Sequence, residues 1–189
     1  METKLEHKYV VWAMVKQQKH MQQQVDMSQT YISENKPVAE FQTVGEFWQV
    51  YSHFRRPSVM PLGTFLHFFV DGVKPLWEDP ACKNGGRWSI RTPKTHTAKF
   101  WEDLVLAMIG EQFDAPSGEV LGLVLSLKFN NDTISVWHRN ANDDAISQQL
   151  KNSIESQLDM QDGMRFEHEI FEEVLNAPPK EKTPKQRDD

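Results

Sequence analysis

The chain has 189 residues, 39% of them hydrophobic and 25% charged, a globular balance that excludes wholesale disorder and fibrous repeats. With 21 basic against 27 acidic residues and a net charge of −6, it lacks a broad phosphate-neutralising surface, so nucleic-acid contact must be local and pocket-like. Cys82 is the only cysteine, which excludes an intrachain disulfide and a cysteine-clustered zinc site and suits a reducing compartment, cytosol or nucleus.

Residues 1–8 are charged and lack the apolar run of a secretory signal, and no segment nears the ~20 apolar residues of a membrane span, so a soluble, intracellular protein is expected. Residues 9–15 are β-branched and aromatic and predict a strand. Residues 16–30, with six Gln and no Pro or Gly, read as a long mobile connection whose composition also permits a short helix. Short strand pieces follow at 31–32 and 38–41, broken at Pro37. Thr43 and Glu46 have capping-box spacing, and apolar residues at 44, 47, 48, 51 and 54 predict a helix ending before Pro57. Residues 64–70 read as a strand running into the turn Asp71-Gly72. Residues 75–88 hold two Pro and two Gly and predict an irregular loop, with a short strand at 88–90.

A second helix is expected over 97–109, with Phe100, Trp101, Leu104, Val105 and Met108 inward and Gly110 as its stop. Residues 119–128 and 133–138 form a predicted hairpin. A third helix spans 142–158, with Ile146, Leu150, Ile154 and Leu158 four apart. Residues 164–171 alternate like an edge strand. Residues 1–176 form the expected domain, and 177–189, rich in Pro, Lys and Asp, a disordered tail. Three helices among about seven strand pieces predict an α+β fold, one curved antiparallel sheet with helices on one face.

Enzyme signatures are missing: there is no phosphate-loop, nucleophile-elbow or H-E-x-x-H motif. Glu167-His168-Glu169 reads as a strand edge rather than a metal-ligand pair, and Gly85-Gly86 alone is weak evidence for a phosphate cradle. Nothing supports bond-making catalysis. The conspicuous feature is a loop Trp-Glu pair, Trp77-Glu78. A flat indole beside a two-oxygen acceptor suits guanine, whose N1–H and N2–H₂ edge is a paired donor.

The blocks Thr43-Val44-Gly45-Glu46-Phe47-Trp48, Asp71-Gly72-Val73-Lys74-Pro75-Leu76-Trp77-Glu78-Asp79, Gly85-Gly86-Arg87-Trp88, Phe100-Trp101-Glu102, Ile109-Gly110-Glu111-Gln112-Phe113 and Ile134-Ser135-Val136-Trp137 occur in order. Together they make the chain, from about residue 5 to 170, one that resembles the eukaryotic translation initiation factor 4E family, which binds the 7-methylguanosine cap of mRNA. The resemblance implies helices on the convex face and a cap slot on the concave side, with no cofactor and no metal. Trp77 would be one wall of the cap sandwich, its backbone amide facing guanine O6, and Glu78 would read the base edge. The family's second wall is usually a Trp 17 positions before the helix Trp; here that residue is Tyr31, a weaker partner for a cationic base. Trp137 matches the residue at the N7-methyl, with a buried structural role as the rival reading.

Arg87 and Lys128 match cationic cap-phosphate positions. Lys128 replaces an Arg, and Asn130 and Thr133 stand where further lysines are usual, so the clamp is thinned: either tail lysines 180, 182 and 185 help, or triphosphate binding is weak. Val44 and Trp48 match the family's dorsal docking ridge for the amphipathic helix of a 4G-type scaffold or 4E-binding protein, against the rival reading that the stripe is core. Asp103 matches an acidic partner contact, while Glu102 replaces a usual Leu. Trp12, Trp88 and Trp101 are assigned to the core. The resemblance thus implies a monomeric, non-enzymatic translation factor whose partners are capped mRNA and a scaffold helix, with no membrane. Two alternatives stay open: a cap-binding repressor or specialised paralogue, and an adaptor that kept the fold but lost cap binding.

Overall fold

The computed structural model describes residues 2–15, 35–158 and 164–177. The expectations for Tyr31, for the connection at 16–30 and for the tail beyond 177 lie outside the described residues. Seven strands form one sheet: β1 (Lys4–Val15), β2 (Lys36–Thr43), β3 (Thr64–Val70), β4 (Gly86–Pro93), β5 (Val120–Ser126), β6 (Asn131–His138) and β7 (Phe166–Ile170). Their order is β2-β1-β3-β5-β6-β4-β7, and every neighbouring pair is antiparallel. The described helices are α1 (Val44–Tyr51), α2 (Lys94–Ile109), α3 (Asp144–Gln157) and α4 (Phe171–Asn176). The expected α+β fold with a single antiparallel sheet is therefore the observed one.

Alternation along the strands sorts side chains to two faces. On β6, Ile134 and Val136 join the main core with Phe100, Trp101, Leu104 and Val105 of α2 and Leu150 and Ile154 of α3. Thr133, Ser135 and Trp137 line a cavity on the opposite face. A smaller apolar cluster of Phe69, Leu121, Cys82, Trp137 and Phe171 lies under that cavity.

Local chemistry sets the boundaries. The capping box is real: Glu46 N–H donates to Thr43 Oγ1 at 3.2 Å, and Thr43 N–H to the Glu46 carboxylate at 3.2 Å. β2 runs through Pro37 rather than breaking there, because it is an edge strand and the register to β1 is irregular at that point. β1 begins at Lys4, earlier than its apolar run, since pairing with β2 reaches Thr43. α2 ends at Gly110 as expected, yet the left-handed residue is Glu111, at φ 50°. There Gln112 N–H reaches Ala107 C=O at 2.8 Å and Glu111 N–H reaches Met108 C=O at 3.3 Å, closing the last turn.

Two expectations need correction. The final strand stops at Ile170, and Phe171 opens a fourth helix whose first side chain packs under the cavity, not on the helix-covered face. Trp12 is not core: it is half-buried and pairs in register with His67 on the cavity face, whereas Trp101 is fully buried and Trp88 flanks the main core.

Candidate functional site

The cavity measures about 560 Å³, within the range of small-ligand sites, and opens between the 75–78 loop and the β4, β6 and β7 strands. Strand register orders its floor into rungs. Phe69, Gly122, Trp137, Arg87 and Glu169 lie across one rung, and Val124, Ser135, Ser89 and Glu167 across the next. Phe65, Ser126, Thr133 and Arg91 form the third, beside the β5–β6 hairpin that carries Lys128. Gly122 is required in the first rung, because a Cβ there would sit 2.5 Å from the Phe69 ring.

Trp77 stands on the loop, half-buried, its ring parallel to Phe171 within 15° at a centroid distance of 6.3 Å. The loop is tied by Asp79, whose carboxylate accepts from Lys74 N–H at 3.2 Å and Ala81 N–H at 2.9 Å. Beneath it Cys82 is fully buried, and burial pushes its thiol up to about 12, so it packs as an apolar group. Glu78 is exposed at the cavity mouth. Among the described residues no hydrogen bond or ion pair occupies the Glu78 carboxylate or the Trp77 amide.

Trp137 is 2% exposed, with its ring centroid 4.5 Å from Phe171 and 5.3 Å from Phe69. It is buried and it also lines the cavity. Its indole N–H has no partner among the described residues. Ser89 and Ser135 share a hydrogen bond at 2.8 Å on the floor.

The cations are less free than the sequence suggests. Arg87 Nη2 lies 2.5 Å from the Glu169 carboxylate, and the guanidinium sits 5.4 Å from the Trp77 ring centroid. Arg91, which sequence reasoning missed, pairs with Glu167 at 3.2 Å. Lys128 Nζ donates to Thr133 Oγ1 at 2.9 Å and meets no carboxylate among the described residues. Glu167 and Glu169 were legible only as alternate residues of an edge strand; that same alternation is the signal that places both on the cavity face. Phe171 carried no signal beyond its apolarity. Gly85 and Gly86 are not a phosphate cradle: a Cβ at Gly86 would sit 2.5 Å from Glu169 C=O, and one at Gly85 would strike His138 C=O.

The second predicted surface lies on α1. Trp48 is 48% exposed, while Phe47 beside it is fully buried, so the stripe is core on one side and open on the other. Val44 is half-buried, and Trp48 packs edge-on to Tyr51 at 6.2 Å. On α2, Asp103 is held by Lys99 at 2.6 Å, and the Tyr51 hydroxyl donates to Glu102 at 3.5 Å. Among the described residues no three His, Cys, Asp or Glu side chains gather as a metal site, and no helix is long and apolar enough to cross a membrane.

Comparison with known proteins finds the family model of eukaryotic initiation factor 4E matching residues 4–186. A wheat (Triticum aestivum) protein, eukaryotic translation initiation factor NCBP, is 50% identical over 131 residues, 69% of this chain and 56% of its own length. The chain thus spans little more than half of that relative. Ascaris suum eIF4E-3, solved with an m7G cap, superposes with a TM-score of 0.80 at 25% identity, covering 96% of each chain. Caenorhabditis elegans eIF4E-3, solved with the 4E-binding protein Mextli and a cap analog, shares the fold at a TM-score of 0.83 and 24% identity, over 94% of this chain and 98% of that one.

Proposed function

The chain belongs to the eukaryotic initiation factor 4E family, and on that premise we propose that its cavity binds the 7-methylguanosine cap of mRNA while α1 recruits a scaffold helix of 4G or 4E-binding type. The observation that carries this reading is the pairing of a half-buried Trp77, backed by Phe171, with a carboxylate and an amide that no other group among the described residues occupies. The methylated purine is cationic and stacks on the indole; Glu78 accepts from N1–H and N2–H₂, and the Trp77 amide donates to O6. Tyr31, which lies outside the described residues, would supply the second wall. Trp137 forms the apolar end of the slot for the methyl group. Lys128 and Arg87 take the phosphates, with Arg87 exchanging its bond to Glu169.

Binding without catalysis is the role of such a site: stacking and edge readout discriminate a base, and no step makes or breaks a bond. The protein acts in the cytoplasm as a translation factor. Val44 and Trp48 present an i, i+4 ridge to the partner helix, and Asp103, paired with Lys99 on α2, supplies the acidic contact. A second reading, a specialised cap-binding paralogue or repressor, is favoured by the carboxylates that occupy Arg87 and Arg91, because they leave the phosphate end weakly cationic.

Tryptophan fluorescence titration tests the base site. The signal quenches with 7-methyl-GTP at concentrations where GTP has little effect, and Glu78→Ala removes the response. Equal responses to the two nucleotides would rule out cap binding in favour of an adaptor role.

A further inference from the structure

We infer that Phe129, at the tip of the β5–β6 hairpin, is a stacking platform for the first transcribed nucleoside of a capped RNA, an inference that rests on the cap reading of the cavity. Phe129 is 82% exposed, the most exposed large hydrophobic residue among those described. Among the described residues its ring meets no other aromatic group. A bare phenyl ring in a chain of net charge −6 has no solubility rationale, and stacking is the contact available to a protein without a basic surface.

The register supplies the direction. Trp137 marks the base end, and Thr133, four residues along β6, stands beside the cations Arg91 and Lys128. Four residues of strand span about 13 Å, a length that a ribose and an extended triphosphate bridge cover together. A nucleotide chain that enters with its base at Trp77 and runs along the rungs past Lys128 emerges at the hairpin tip, where residue 129 follows directly.

The tip is also built to hold its place. Asp132 is 1% exposed and accepts from the Lys128 amide at 3.0 Å and from Thr97 Oγ1 at 2.8 Å. Lys94 bridges the Asp132 carboxylate, at 2.5 Å, to the Lys128 carbonyl. A buried, multiply bonded carboxylate at the base of the turn preorganises the platform, which lowers the ordering cost of binding. The first transcribed nucleotide of a single-stranded 5′ end has a free π-face, so the contact tolerates any base.

The test compares 7-methyl-GTP with a short single-stranded RNA carrying the same cap, titrated against wild type, Phe129→Ala and Phe129→Tyr. Phe129→Ala leaves 7-methyl-GTP affinity within about twofold and weakens the capped RNA about fivefold or more, and Phe129→Tyr restores it. Unchanged capped-RNA affinity in Phe129→Ala overturns the inference and leaves the ring to a protein contact. Equal losses for both ligands overturn it too, since the hairpin rather than the stack is then at fault. Failure of wild type to bind 7-methyl-GTP is a different outcome: it removes the cap reading, and the platform with it.

Discussion

The two faces of the sheet are made by the same strands and solve different problems. Toward α2 and α3 the side chains are Ile90, Leu123, Leu125, Ile134 and Val136, all fully buried and apolar. Toward the cavity, one residue away, they are Arg87, Ser89, Thr133, Ser135 and Trp137. The helix-covered face therefore holds the stability, and the open face spends little of it. The open face joins a floor of serines and paired charges to a small apolar patch, Phe69, Phe171 and Trp137, against which the Trp77 loop packs.

The helix-covered face is the more sensitive to truncation. Leu104→Ala deletes a fully buried side chain of α2 and lowers unfolding free energy by about 2–5 kcal/mol in denaturant titration, while 7-methyl-GTP affinity, measured where the variant is folded, stays close to wild type. A loss of affinity in the folded variant would mean that the faces are not independent.

Acid acts next. Burial first, then the neighbouring His168 with its Nε2 3.1 Å away, holds the His138 imidazole down to about 4 against the pull of Glu119. Burial likewise holds His67 to about 4, despite an opposing hydrogen bond with the backbone of Trp12. A folded pKa below the unfolded value means that the unfolded chain binds more protons. Their stabilisation is therefore complete above about pH 6.5 and is lost as pH falls toward 4, at up to about 1.4 kcal/mol per pH unit for each group. Thermal midpoints that are flat from pH 7 to 5 would contradict this. The smallest effect is on the open face. Glu169→Gln frees Arg87 from its carboxylate, and 7-methyl-GTP binding tightens a few-fold at low salt, with the gain shrinking as salt rises.

Much of the fold was legible because its signals are local. Residues 64–70 are a mostly apolar, aromatic run that ends at Asp71-Gly72, and Thr43 with Glu46 announces α1; both stand as expected. The misses are cases where a distant partner decides. β1 reaches Lys4 only because β2 pairs with it, and Glu111 takes the left-handed position as Gln112 closes the helix end, with the Tyr9 hydroxyl 3.2 Å from its carboxylate. In the site, Trp77 and Glu78 were visible as a loop pair that packing does not explain. Arg87 was visible too, but its engagement by Glu169 was not, because 82 residues separate them and only the β4–β7 pairing brings them together.

The most direct measurement is a crystal structure with 7-methyl-GDP bound. The account predicts the purine stacked between Trp77 and Tyr31, its N1–H and N2–H₂ edge within hydrogen-bond distance of the Glu78 carboxylate. A nucleotide bound elsewhere, or held with Glu78 turned away from the base, would contradict it.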